Sequence, residues 1–132
     1  MHTIEEIQLY CPIPTSLLSE LARYAPTVKS LRLYDTGPSL DSIESLESLD
    51  GLERLNITSD MLSDLTPFAR MSALRVIHLR CPRVTDLSPL ANLGNLRTLQ
   101  LSGEVERVDL NVLNNLSATI IRSDQYDVVV QD

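Results

Sequence analysis

One spacing restricts this chain more than any other feature: apolar-x-x-apolar-x-apolar, recurring at near-constant intervals. It opens at Ile4 (with Ile7 and Leu9), Val28 (Leu31, Leu33), Leu52 (Leu55, Ile57), Leu74 (Ile77, Leu79) and Leu96 (Leu99, Leu101). A degraded copy opens at Leu116, with Ile120 and Ile121, so the steps between first anchors are 24, 24, 22, 22 and 20 residues. Alternation at the end of each hexamer is the period of a β-strand, with the fourth and sixth positions inward and the third, fifth and seventh outward. A unit this short cannot bury its apolar side alone. Stacked units can, and a period of this length predicts a solenoid whose strands join into one parallel sheet.

The segments after the hexamers also repeat. Ser63-Asp64-Leu65-Thr66-Pro67-Phe68-Ala69-Arg70-Met71 aligns with Thr85-Asp86-Leu87-Ser88-Pro89-Leu90-Ala91-Asn92-Leu93. These residues resemble the leucine-rich-repeat family, in particular its bacterial internalin-like form with an Asp-Leu-Ser-Pro-Leu-Ala-x-Leu segment. The resemblance covers nearly the whole chain. It implies an α/β leucine-rich-repeat solenoid of about five repeats, with a parallel sheet on the concave face and short α or 3₁₀ helices on the convex face. Residues 1–132 then form a single domain, with repeats starting near 4, 28, 52, 74 and 96 and a capping segment over 116–132.

Local signals fill in each unit. The Thr66-Pro67 and Ser88-Pro89 pairs read as a helix N-cap followed by proline at the first helical position. Gly51 and Asn95 stand where a helix should stop. Asp41 and Glu44 have capping-box spacing and open a stretch with Ile43, Leu46 and Leu49 inward. The two extra residues in each of the first two units leave room for a true α-helix there, whereas later units fit only a short helix or 3₁₀ turn. The family favours Asn or Cys three residues after the strand's last anchor. Here Pro12, Thr36, Asp60, Pro82 and Glu104 hold that place, so a ladder of side-chain amides is expected to be absent or rebuilt. Ile120-Ile121 and Val128-Val129-Val130 read as a hairpin over the last repeat, while the first strand is left as a bare edge.

With 43% hydrophobic and 4% aromatic residues, the core must be built from Leu, Ile and Val. The net charge of −7 argues against a nucleic-acid partner and against a polybasic membrane anchor. No apolar stretch reaches the ~18 residues of a membrane span. The acidic start, Met1 to Glu6, lacks the pattern of a secretory signal, so the expected location is cytoplasmic.

Catalysis and cofactors find little to work with. His2 and His78 are the two histidines, and of these only His78, near Cys81 in sequence, offers a base. Glycine at 37, 51, 94 and 103 alone makes no phosphate-binding loop. Cys11 and Cys81 hold the same unit position three strands apart, roughly 14 Å at ~4.8 Å per strand, too far for a disulfide or a shared zinc. Asn56-Ile57-Thr58 and Asn115-Leu116-Ser117 match a glycosylation pattern and read as coincidences. The acidic set Asp41, Glu44, Glu47, Asp50, Asp64 and Asp86 reads as helix caps and a solvated face rather than a metal site. No enzyme activity, cofactor or metal is expected.

The outward strand positions are a different matter. In order they are Glu6, Gln8, Tyr10; Ser30, Arg32, Tyr34; Arg54, Asn56, Thr58; Val76, His78, Arg80; and Thr98, Gln100, Ser102. They hold three of the 11 basic and one of the 18 acidic residues, leaving eight basic and 17 acidic elsewhere. Tyr10 and Tyr34 share one position in adjacent units beside Arg32 and Arg54, and Tyr and Arg are the residues enriched where binding energy concentrates. Tyr10, Arg32, Tyr34, Arg54, Asn56, His78 and Arg80 are therefore the candidate contact residues for another protein. A short acidic module of this kind, monomeric or weakly dimeric, suits an inhibitor or immunity-type protein. The alternative is a scaffold that self-associates through its terminal strands.

Overall fold

The structure, a computed structural model, describes residues 4–103, 108–114 and 116–123. Six strands form one sheet in chain order: β1 (Glu6–Cys11), β2 (Ser30–Asp35), β3 (Arg54–Thr58), β4 (Val76–Arg80), β5 (Thr98–Ser102) and β6 (Thr119–Ser123). Every neighbouring pair is parallel and in phase with the repeat, so Leu31 faces Leu55 and Leu55 faces Ile77. This is the α/β solenoid expected from the spacing. Among the described residues β1 pairs only with β2, and it is the sheet's open edge.

The core is a set of ladders running through the stack. Leu31, Leu55, Ile77 and Leu99 form one buried row and Leu33, Ile57, Leu79 and Leu101 the next. Behind the sheet, Leu46, Phe68 and Leu90 stack as a third row, contributed by the 3₁₀ helices Glu44–Ser48, Thr66–Arg70 and Ser88–Leu90. Each fully buried side chain of this size contributes ~1.5–3 kcal/mol of transfer free energy, which explains why a chain with one Phe and no Trp can still build a core.

The first unit contains a true α-helix, α1 (Thr15–Tyr24). The second does not, contrary to expectation: its convex segment is the five-residue 3₁₀ helix Glu44–Ser48. Its two extra residues lie elsewhere. Buried Leu33 and Leu40 are seven residues apart, whereas Ile57 and Leu62 are five apart, as are Leu79 and Val84. The insertion therefore widens the turn after β2 and leaves the convex side unchanged.

Capping also differs from the expected pattern. The Asp41–Glu44 box is not formed; Asp41 accepts a hydrogen bond from Thr15 Oγ1 (3.2 Å), and the Glu44 amide donates to Ser42 Oγ (3.3 Å). Thr66 and Ser88 lie inside their helices. The capping acceptor is the aspartate two residues earlier, Asp64 for the Thr66 amide and Asp86 for the Ser88 amide, both at 2.9 Å. An aspartate there closes the turn that leads into the helix, and Asp109 does the same for Asn111. Asn95 Nδ2 ties its turn to the previous repeat by donating to Ser72 O (2.9 Å).

Asp35, Ser59 and Cys81 are the rebuilt ladder, standing one residue earlier than the family's Asn. The Asp35 carboxylate accepts from the amides of Ile13 (2.9 Å), Gly37 (3.4 Å), Ser39 (2.9 Å) and Leu40 (2.7 Å). Ser59 Oγ donates to Leu40 O (2.7 Å) and accepts from the amides of Met61 and Leu62, both 3.1 Å. Cys81 Sγ approaches Ile57 O at 3.8 Å. Each of these side chains bonds to the backbone of the preceding repeat, and those of Asp35 and Ser59 also hold their own turn. At the far end Ile120 pairs with Leu99 and continues the inward row, which puts Ile121, beside Gln100, on the outer face. The expected hairpin partner Val128–Val130, with Glu104, Asn115 and His2, lies outside the described residues.

Candidate functional site

Strand pairing in phase turns the outward positions into three rows across the sheet. The first is Glu6, Ser30, Arg54, Val76, Thr98; the second Gln8, Arg32, Asn56, His78, Gln100; the third contains Tyr10, Tyr34, Thr58 and Arg80. Adjacent members of a row are separated by one strand spacing, ~4.8 Å. At that distance like residues stack, and Tyr10 and Tyr34 do: their ring centroids are 4.5 Å apart with planes 4° from parallel. Tyr10 remains 61% exposed.

The seven candidate residues divide between two places. Arg32, Arg54, Asn56 and His78 line a groove of about 390 Å³ that runs over the sheet from Glu6 to Gln100. Tyr10, Tyr34 and Arg80 stand beside it in the third row. Asn56 Nδ2 donates to Tyr34 Oη (3.4 Å) and links the two. His78 shares a hydrogen bond with Ser102 Oγ (Nε2 to oxygen, 3.2 Å) rather than turning to Cys81.

Electrostatics in the groove are one-sided. Among the described residues neither Arg32 nor Arg54 has an ion pair or a hydrogen-bonded acceptor. Glu6, the groove's acidic residue, accepts from Gln8 Nε2 (3.3 Å). Gln100 closes the opposite end. Only 6% of it is exposed, and its Nε2 has no hydrogen-bond partner among the described residues. The spacing put Gln100 on this face but offered no reason to set it apart, because its distinguishing feature is burial at the β5–β6 end.

The remaining chemistry-bearing groups are structural. Burial pushes the Cys81 thiol up to about 12, so it carries almost no thiolate near neutral pH. Asp64 is held below the usual carboxylate range by the Thr66 hydroxyl and amide, and Asp86 by the Ser88 amide and hydroxyl. Burial works to raise the Asp35 carboxyl, but its four backbone donors, Leu40 foremost, outweigh that and lower it. No group of three or more His, Cys, Asp or Glu among the described residues is placed to hold a metal ion. No helix there is long and apolar enough to cross a membrane.

Comparison with solved structures places this geometry. Internalin C2 of Listeria monocytogenes superposes with a TM-score of 0.65 at 28% identity over 90% of this chain. The chain has an internalin-like leucine-rich-repeat fold. It spans 51% of the internalin C2 chain, about half its length. The Listeria internalin inlF aligns over 95% of this chain and 50% of its own, at 16% identity and a TM-score of 0.45. No protein-family model matches the sequence, and no curated protein matches it. Within the internalin-like frame, the groove lies on the strand face and the capping aspartates lie on the opposite, convex side.

Proposed function

We propose that this internalin-like chain is a non-enzymatic protein–protein interaction module that binds a partner protein through the strand face. The observation that carries the reading is the pairing of a stacked Tyr10–Tyr34 pair, whose Tyr10 ring is exposed, with the guanidinium groups of Arg32 and Arg54, which have no ion pair among the described residues, on one hydrogen-bonded sheet. Stacking fixes the tyrosine rotamers before a partner arrives, which lowers the ordering cost of binding. Asn56 on β3 and His78 and Arg80 on β4 extend the surface, which then crosses the four strands β1 to β4. An enzyme is disfavoured by the same geometry: His78 meets Ser102, whose hydroxyl belongs to a residue only 4% exposed, and Cys81 is buried and protonated.

The role we favour is occlusion of the partner, as an inhibitor or immunity-type protein, by residues 1–132 acting as one cytoplasmic unit that is monomeric or weakly dimeric. Affinity capture followed by mass spectrometry, with the wild type and an Arg32→Ala/Tyr34→Ala/Arg54→Ala variant, tests the surface. The variant should lose the partner at an unchanged melting temperature. Equal capture by both overturns the assignment. Inhibition is then read by adding the chain to the captured partner and following that partner's activity.

A scaffold reading has its own support in the open β1 edge, next to Ile4, which is 51% exposed. Light scattering across a hundredfold range of concentration separates the two, since self-association through β1 requires mass to grow with concentration.

A further inference from the structure

Resting on the strand-face reading, we infer that the groove takes an acidic segment of the partner, with Arg32 and Arg54 on its carboxylates and the Gln100 amide donating at the far end. Two independent observations point the same way. The first is the pair of guanidinium groups, ten N–H donors in all, with no acceptor among the described residues. The second is Gln100 Nε2, buried at the groove's other end and unpartnered among the described residues. Buried N–H groups are almost always paired, and an orphan at the lining of a groove asks for an acceptor from outside. Acceptors are what a carboxylate-bearing strand offers, from side chains and backbone carbonyls together.

The dimensions fit a peptide. From β1 to β5 the groove crosses four strand spacings, ~19 Å, which an extended segment of about six residues spans. Arg forks suit carboxylate geometry through paired N–H donors. The whole-chain charge of −7 makes the inference discriminating. Long-range repulsion acts between this protein and acidic ligands, so an acidic segment can bind only through the local donor set, within the ~8 Å screening length at physiological salt. Phosphate backbones of nucleic acids meet the same repulsion over a much larger charged length and are the disfavoured occupant.

Fluorescence anisotropy with a labelled octapeptide of alternating Glu and Ser, its Gln-Ser counterpart and an oligothymidylate of eight nucleotides tests this on the full chain. The Glu-Ser peptide should bind, and the Gln-Ser peptide at least tenfold more weakly. Arg32→Met/Arg54→Met should weaken the Glu-Ser peptide at least tenfold. Gln100→Met should weaken it about threefold, with melting temperature confirming that each variant folds. Glu-Ser and Gln-Ser peptides binding alike, the oligothymidylate binding more tightly than either, or no effect of the arginine pair would overturn the acidic occupant. If the captured partner is still lost from Arg32→Ala/Tyr34→Ala/Arg54→Ala while the Glu-Ser peptide is ignored, protein binding stands and the acidic occupant fails. Retention of the captured partner by that variant defeats the strand-face reading itself.

Discussion

Replacing Asp35 tests the claim that the turn ladder stands one residue earlier than in the family pattern. In Asp35→Ala the amides of Ile13, Ser39 and Leu40 lose short acceptors at 2.9, 2.9 and 2.7 Å, and that of Gly37 a longer one at 3.4 Å. The carboxylate is half-buried, so water replaces part of what is lost. Counting ~1 kcal/mol net for each of the three short bonds gives a loss of ~3 kcal/mol, a shift in melting temperature of roughly 10 °C for a chain of this size. Asp35→Asn keeps one acceptor oxygen and turns a donor toward the other amides, so about half the loss is expected. Urea titration followed by far-ultraviolet circular dichroism measures both. Asp60→Ala and Thr36→Ala, at the family's own position and exposed, should stay within ~0.5 kcal/mol of wild type. The pH dependence follows from the lowered carboxyl of Asp35. Its folded value lies below the unfolded one near 3.9, so its contribution is complete above that value and fades as pH falls through the folded value. The gap between wild type and Asp35→Asn should therefore be constant from about pH 5 to 8 and close in stronger acid. A cost below ~1 kcal/mol for Asp35→Ala, or an equal cost for Asp60→Ala, would refute the ladder.

Phe68, fully buried in the third core row, should cost ~3–5 kcal/mol on truncation to Ala, read by the same urea titration. Gly103 has φ of 89°, so Gly103→Ala should destabilise by ~1–2 kcal/mol, while Gly94→Ala, with open space around an added Cβ, should be neutral or slightly stabilising in a thermal melt. Because burial raises the Cys81 thiol to about 12, iodoacetamide at pH 8 should modify half-buried Cys11 and reach Cys81 only after unfolding, as followed by intact mass; equal rates in the native protein would contradict the burial.

The repeat period and strand alternation were enough to place β1 to β5, their parallel register and the inward rows, because in a solenoid each residue's neighbours are its counterparts one period away. What escaped the sequence depends on where a turn's extra residues go. Leu33 and Leu40 could have revealed it: measured from the buried residues that follow each turn, every later step is 22 residues (Leu40, Leu62, Val84), so the surplus lies before Leu40 and not in the helix after it. The capping error has a similar origin. Ser-Pro and Thr-Pro have the composition of an N-cap, yet the helices are 3₁₀ and begin one residue sooner, which hands the capping role to Asp64 and Asp86. On the outer face, Tyr10, Tyr34, Arg32 and Arg54 could be read from side-chain type alone. Gln100 could not, since its burial depends on contacts at the end of the sheet.

The same geometry separates the side chains that line the groove from those that hold the fold. Along each strand, successive side chains serve opposite purposes: Leu31, Leu33, Leu55 and Ile57 fill the core, while Arg32, Tyr34, Arg54 and Asn56 meet the outside. The turn ladder of Asp35 and Ser59 lies beyond the strand ends and touches neither set of outward side chains in its hydrogen bonds. Substitutions at the exposed outward residues Arg32 and Arg54 therefore change the groove's chemistry without opening a cavity or orphaning a turn amide. Parallel pairing sets the limit on that freedom. It brings row neighbours within ~4.8 Å, where like charges side by side repel. Arg32 and Arg54 meet this constraint by standing in different rows, each paired across the strand gap with a neutral residue, Asn56 and Ser30. Two guanidinium groups can thus converge on one groove while no row holds adjacent cations.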